Sequence, residues 1–421
     1  MTLNRRSFLG TSLALGAALS ATPLIGQARP RVVIVGGGAG GATAARYIAK
    51  DSQGAIDVTL IEPTRTYYTC FFSNLYIGGF RDLASIGHSY GKLASDYGIN
   101  VVHDWAVGVD RDTKTVTTAG GHAFAYDKLI VAPGIDFVEG SVPGWDISAQ
   151  NRMPHSWKAG SQTQLLKAQI EAMPEGGVFC MIAPPDPFRC PPGPYERISM
   201  VAHVLRERNP TAKILIVDPK ASFSKQALFE EGWQKYYPGM IQRIGPDFGG
   251  SNFSVNPETM EVDIDGQVET VDVCNVIPAQ KAGRIAELAG LTGDNGYCPI
   301  VPATMQSRMD EDIHVLGDAA IAGDMPKSGF SANSHAKVAA MQVRAALTGS
   351  NAFPAKYSNT CWSLIDTDDG VKVGASYAPT DEMIAKVDGF ISQTGEDADL
   401  RKLTYEESLG WYAGIAADMF G

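Results

Sequence analysis

The stretch RVVIVGGGAGGATAARYIAK, Arg31 to Lys50, constrains the fold more than any other part of the chain. An apolar β-branched run leads into glycines, and small residues at helical spacing follow, which predicts strand, tight turn and helix. Gly36, Gly38 and Gly41 satisfy G-x-G-x-x-G. The first glycine permits the turn, the second lets a pyrophosphate approach the backbone, and the third lets helix and strand pack closely. The helix N-terminus then attracts the phosphates. Glu62 closes the next apolar run, IDVTLIEP, 21 residues after Gly41. A carboxylate at that strand end can accept both ribose hydroxyls of a dinucleotide. Strand, turn, helix and acid agree in register, so the N-terminal part reads as a Rossmann-type dinucleotide-binding domain.

A late strand, DIHVLGDAA (Asp312 to Ala320), ends in Gly317-Asp318. A strand-end aspartate far downstream of the first motif suits the ribityl chain of a flavin, so the expected cofactor is FAD. Lys327 and Ser328, ahead of the next helical segment, are expected to face the pyrimidine end of the flavin. A second βαβ unit begins near Val178 with GVFCMIAPP, continues as a helix over Tyr195 to Arg206, and ends in KILIVDP. YDKLIVAPGID (Tyr126 to Asp136) reads as the crossover. The expected organisation is α/β, with a discontinuous FAD-binding domain (29–143 and 277–350), a central NAD-like domain (144–276) and a C-terminal piece (351–421).

The turn of the second unit is APPDPFRCPPGPYE, residues 183 to 196, with six prolines and one glycine, Gly193. Prolines lack the N–H groups that would cradle a phosphate. NAD(P)H is therefore not expected as electron donor. Pro194 suits a first helical turn. Cys190 stands in the middle of this stiff loop beside Arg189, a neighbour that favours thiolate, and it is expected to be redox-active. Glu196 is either a functional carboxylate or an acid that complements the helix dipole.

The formal charge is −11, which makes nucleic acid and anionic membrane poor partners. NRRSFLGTSLALGAALSATPLIGQA, with Arg5 and Arg6 ahead of an apolar small-residue stretch, reads as a twin-arginine export signal ending at Ala28. No other stretch reaches membrane-spanning length, so no stable membrane insertion is expected. An exported chain permits disulfides. Six cysteines are too few for a disulfide scaffold in 421 residues, so each is judged by context. Cys180 reads as an inert strand thiol, and Cys274 and Cys298 as interior residues without an assigned role. No metal-binding residues are assigned.

Four stretches, YYTCFFSN, PFRCPPGPYER, MPKSGFSANSHAKVA and NTCWSL, together resemble the flavoprotein subunit of flavocytochrome c sulfide dehydrogenase. The resemblance spans essentially the whole chain after residue 28 and includes the export signal. It implies a glutathione-reductase-like fold, with two Rossmann-type domains and a C-terminal α+β interface domain. It implies that Cys70 carries FAD through a thioether, which would prevent flavin loss outside the cytoplasm and raise its potential. It also implies that Cys190 and Cys361, 171 residues apart, form a redox-active disulfide. Sulfide would open that disulfide, with Cys190 as persulfide carrier, Cys361 nearer the flavin, and Glu196 as proton acceptor. Electrons would pass to a c-type cytochrome subunit in a periplasmic heterodimer. This chain contains no C-x-x-C-H, so any haem belongs to the partner.

Two other readings remain open at this level. A sulfide:quinone oxidoreductase shares the fold and the cysteine logic but needs an apolar quinone site near the C-terminus. The C-terminal YEESLGWYAGIAADMFG is aromatic, which also suits packing against the body or a partner. A secreted flavoprotein without enzymatic activity is the third reading, and the Cys190/Cys361 pair argues against it.

Overall fold

The computed structural model describes residues 28–421. The export segment, apart from Ala28, lies outside the described residues. Along the chain, the first unit supplies β1 (Arg31–Val35), α1 (Ala39–Ser52), β2 (Asp57–Ile61), α2 (Ser73–Ile77), β3 (Asn100–Val102), β4 (Lys128–Val131) and β5 (Ile135–Phe137). The second supplies β6 (Val178–Ile182), α3 (Gly193–Arg208), β7 (Lys213–Val217), α4 (Gln226–Tyr236), β8 (Ile241–Ile244), β9 (Val273–Val276) and β10 (Gln280–Ala282). The chain then returns through β11 (Asp310–Val315) and α5 (Gly329–Thr348). It ends in β12 (Tyr357–Asp366), β13 (Asp369–Pro379), β14 (Ile384–Ile391) and α6 (Ala398–Phe420).

The first sheet runs β11-β4-β1-β2-β3, all parallel, with an antiparallel two-residue edge at Gln306–Ser307. Its strands are continuous apolar runs because helices cover both faces. Val32 to Val35 are buried throughout. The small residues of α1, Ala39 to Ala45, are all buried and let that helix lie close to the sheet and against α5. A methyl group on Gly41 would come within 1.8 Å of the Gly36 carbonyl oxygen, so the turn and the helix start tolerate only glycine there.

The second sheet, β8-β7-β6-β9, is also entirely parallel. An antiparallel pair, β5 with β10, carries the chain out of the first unit and back. The result is a glutathione-reductase-like α/β fold with two Rossmann-type units. In the second sheet Cys180 and Cys274 stand in register on β6 and β9, both fully buried. Cys298 is buried in the first unit's core.

The C-terminal residues form an antiparallel meander, β12-β13-β14, covered by α6. The meander packs against α3 and α5, so it touches both Rossmann units. The far end of α6 returns to the first unit, where Asp418 accepts hydrogen bonds from Tyr47 (2.9 Å) and Lys337 (2.5 Å). Its near end is held by Arg401, whose buried guanidinium reaches Asp369 on β13 at 3.0 Å and Glu231 on α4 at 2.9 Å. Removing one partner from a buried ion-pair network leaves unpaired charges in the interior. Arg401→Met should therefore lower the unfolding free energy by about 3 kcal/mol, read as a shift of the urea midpoint. An unchanged midpoint would show that this anchor is dispensable.

Candidate active site

Several separate parts of the chain line one cavity, and three of them carry cysteines. Cys70 to Leu75 come from the first unit, Arg189 to Arg197 from the proline-rich turn and α3, and Thr360 to Leu364 from β12. Cys70, Cys190 and Cys361 all face this cavity. All six cysteines are free thiols in the structure. β12 brings Cys361 to this cavity by packing against both α3 and α5.

The proline-rich turn has a definite local purpose. It holds Cys190 in the left-handed region, at φ 60°, a conformation that L-residues adopt at a cost. The Cys190 N–H donates to the Lys327 carbonyl at 2.8 Å, and its own carbonyl accepts from Gly193 N–H at 2.7 Å. Gly193 is the turn's one glycine for a steric reason. A methyl there would lie 2.9 Å from Cys190 Sγ and 3.0 Å from the Trp157 ring. Helix α3 starts at Gly193 and runs to Arg208, two residues longer at each end than the sequence predicts, with Pro194 in its first turn.

Glu196 is buried, and its two carboxylate oxygens are bound from two other parts of the chain. Leu364 N–H on β12 donates to one at 3.0 Å, and Asn74 Nδ2 on α2 donates to the other at 2.8 Å. Burial pushes the Glu196 carboxyl above its ordinary range, against the opposing pull of those two donors. Its neighbour Arg197 is 1 % exposed and has no carboxylate within ion-pair distance among the described residues. Arg197 donates to Asn74 Oδ1, Asn275 Oδ1 and the carbonyls of His155 and Ser156, and its guanidinium lies 4.9 Å from the Trp157 ring centre. Burial lowers it to about 9.

Cys190 and Cys361 differ in their electrostatics. Burial raises both thiols. Glu196 adds to the rise at both, and the Lys225 ammonium opposes it at both. Cys190 is raised further by the nearby Cys361. Cys361 differs in that Asn359 donates Nδ2 to its Sγ at 3.4 Å and opposes the rise. The Arg189 side chain is held by Asp318 at 3.6 Å and by the Trp157 carbonyl, and its charge still attracts Cys190 from there. Burial, with Cys361 and Glu196, outweighs that attraction and raises the Cys190 thiol.

The dinucleotide residues are placed as follows. Glu62 accepts from Gly37 N–H at 2.8 Å and from Thr64 N–H at 2.9 Å, which seats it beside the Gly36–Gly41 turn. Asp318 is buried, and its Oδ1 has no hydrogen-bond partner among the described residues. The glycine turn, the acid beside it, this orphaned buried oxygen and the Cys70 thiol in the cavity lining fit a bound FAD. Lys327 does not line the cavity. Its ammonium donates to the carbonyls of Asp318 and Ala320, both at 2.8 Å, and sits 3.8 Å from the Tyr297 ring centre. Ser328 caps α5 and donates to Asn359 Oδ1 at 2.5 Å, so it steadies the residue that reaches Cys361 Sγ.

Sequence reading missed Arg197, Lys225, Asn74 and Asn359. Arg197 carried a readable signal, because a cation in the first turn of a helix opposes the dipole and asks for a reason. Lys225 carried none, since the surrounding ASFSKQ has no motif.

Fold and site together define a flavoprotein of the pyridine nucleotide-disulphide oxidoreductase class. A sequence profile of that description matches residues 30–167. Profiles described as "Sulfide dehydrogenase [flavocytochrome c] flavoprotein chain, central" and "Flavocytochrome c sulphide dehydrogenase, flavin-binding" match 163–278 and 354–420. The flavoprotein chain of sulfide dehydrogenase [flavocytochrome c] from Chlorobaculum thiosulfatiphilum is 54% identical over 44 residues, 10% of this chain and 90% of that sequence. A sulfide-quinone reductase from Aquifex aeolicus (strain VF5) is 33% identical over 112 residues. That match spans 26% of this chain and only 25% of that protein. The crystal structure of the sulfide:quinone oxidoreductase from Aquifex aeolicus superposes with a TM-score of 0.69 at 18% identity, covering 92% of each chain. The chain belongs to the family of flavocytochrome c sulfide dehydrogenase flavoprotein chains.

Among the described residues no helix is long and apolar enough to cross a membrane, and no group of His, Cys, Asp or Glu is arranged to hold a metal. The steric limit at the first turn gives a direct test of the cofactor site. Gly41→Ala should purify with flavin absorbance near background, whereas full flavin content would contradict the placement of the phosphates at this turn.

Proposed function

We propose that this protein oxidises sulfide to sulfane sulfur through a Cys190–Cys361 disulfide and passes the electrons, through FAD bonded to Cys70, to a c-type cytochrome subunit. One observation carries the reading: three parts of the chain bring Cys70, Cys190 and Cys361 into one cavity that also holds a buried carboxylate.

Hydrosulfide attacks Cys190 Sγ in ordinary thiol–disulfide exchange. The S–S bond breaks, Cys190 becomes a persulfide, and Cys361 leaves as a thiolate. Asn359 Nδ2 is the donor positioned to receive charge on Cys361 Sγ. Glu196, with its raised affinity for a proton, accepts the proton of the incoming sulfide. A second sulfide or thiol then releases the sulfane sulfur from Cys190 as a polysulfide. The glycine turn at Gly36–Gly41, Glu62, Asp318 and Cys70 would hold FAD, whose chemistry when bound is to take an electron pair from thiolate and return electrons singly.

The second Rossmann unit is read as idle for NAD(P)H. Its turn lacks six N–H groups to proline, and the N–H groups of Arg189, Cys190 and Gly193 already donate within the protein. Asp218, at the end of β7 where a ribose-binding acid would stand, is taken up by Lys220 at 2.7 Å, Arg243 at 2.9 Å and Tyr195 OH at 2.8 Å. Support for a protein partner comes from β14, an unpaired sheet edge that leaves Val387, Phe390 and Ile391 exposed. The paired arginines Arg5 and Arg6 support export to the periplasm.

Anaerobic addition of sulfide should bleach the flavin, and cytochrome c rather than quinone should restore it. Cys190→Ser and Cys361→Ser should each abolish the bleaching while keeping the flavin. A flavin that stays oxidised in the unsubstituted protein would contradict the reading, and restoration by quinone alone would replace the acceptor. The denatured chain should carry the added mass of FAD, and Cys70→Ser should lose it.

Glu196 must be unprotonated to accept a proton, so the rate should rise with pH through its raised titration. Glu196→Gln should remove that rise and slow single-turnover reduction by about 100-fold. An unaltered pH profile would exclude Glu196 as the acceptor.

A further inference from the structure

Lys225 is an unexplained cation beside this cavity. It opens α4 in the left-handed region, at φ 63°, and its side chain runs inward under β12. The ammonium donates to Ser363 Oγ at 2.8 Å and to the Cys361 carbonyl at 3.1 Å. No carboxylate is within ion-pair distance of it among the described residues. A buried ammonium without a paired carboxylate is costly, and such a charge persists where another element of the structure compensates it.

The charged groups around the cysteine pair give the reason. Glu196 is the single buried acid directly beside the pair, while Arg197 and Lys225 are two buried cations. Arg189 and Asp318 form a separate pair. With a closed disulfide the chamber therefore holds one more positive charge than negative. Opening the disulfide supplies the missing negative charge.

We propose that Lys225 is a positioning residue that holds the Cys361 sulfur as a thiolate when the pair opens, and so fixes Cys361 rather than Cys190 as the leaving sulfur. This rests on the disulfide reading above. The step balances without a further reactant. The hydrosulfide electron pair forms the new bond to Cys190 Sγ, and the old S–S pair departs on Cys361 Sγ. The sulfide sulfur is oxidised and the disulfide is reduced. The proton stays on the persulfide or passes to Glu196. The groups that face Lys225 are Cys361 on β12, Glu196 on α3 and Cys190 on the proline-rich turn, and all three stabilise its charge. Burial alone opposes them and brings the ammonium down to about 8. Its charge, and with it the preference for a Cys361 thiolate, should then fade as pH rises through that value.

The test is the pH profile of iodoacetamide alkylation of the reduced, flavin-loaded protein, read by peptide mass spectrometry at Cys361 and Cys190. Lys225→Met should move the Cys361 profile up by about one pH unit and slow its alkylation near neutrality about tenfold, with a smaller shift in the same direction at Cys190. Lys225→Arg should restore the profile. If Lys225→Met does not accumulate folded, Ser363→Ala serves instead, and freeing the ammonium should shift Cys361 in the same direction by a smaller amount. A Cys361 profile unchanged in the folded variant overturns the proposal, as does an equal shift at both cysteines. Sulfide bleaching of the unsubstituted protein is scored in parallel. Its absence would sink the disulfide reading, independently of the alkylation result.

Discussion

The Glu196 carboxylate is the point on which the site depends. It is buried where the first unit, the proline-rich turn and the C-terminal meander meet, and each neighbour contributes one donor to it: Asn74 from α2 and Leu364 from β12. A buried carboxylate left without those donors would cost several kcal/mol. The same two hydrogen bonds that satisfy Glu196 therefore lock Cys70, Cys190 and Cys361 into one chamber. Stability and chemistry coincide there, because a displaced β12 would both strand the acid and separate the sulfurs.

Within that chamber, the asymmetry between the two thiols follows from which domain supplies which polar group. Cys361 lies on a strand where Asn359 Nδ2 donates to its sulfur, and the Lys225 ammonium donates to its carbonyl. Cys190 lies on a loop whose N–H groups are proline-depleted or already used, and no side chain among the described residues donates to its sulfur. One sulfur is therefore suited to leave as an anion and the other to receive a nucleophile.

The first Rossmann unit was legible in the sequence because its constraints are local. Gly36, Gly38, Gly41 and Glu62 act through chain neighbours and one adjacent strand, and spacing records such relations. The proline-rich turn was legible as a turn without donors, but its purpose was not. The left-handed Cys190 and the contact of Gly193 with its sulfur exist only once α3 and Trp157 are in place. Arg189 shows the limit most clearly. Adjacency to Cys190 suggested a charge effect, and the attraction exists, but the side chain is also held by Asp318, and burial decides the thiol. A second cation beside the pair, Lys225, is distant from both cysteines in sequence and lies in a stretch without a motif. Residue identity predicts what a side chain can do, and only packing decides what it faces.

The central claim is that Cys190 and Cys361 are joined in the oxidised protein. Peptide mass mapping of the oxidised, non-reduced chain tests it most directly. The account predicts one crosslinked species joining the Cys190 and Cys361 peptides, lost on reduction, with Cys180, Cys274 and Cys298 recovered as free thiols. Recovery of Cys190 and Cys361 as free thiols, or of either one joined to a different cysteine, would contradict it.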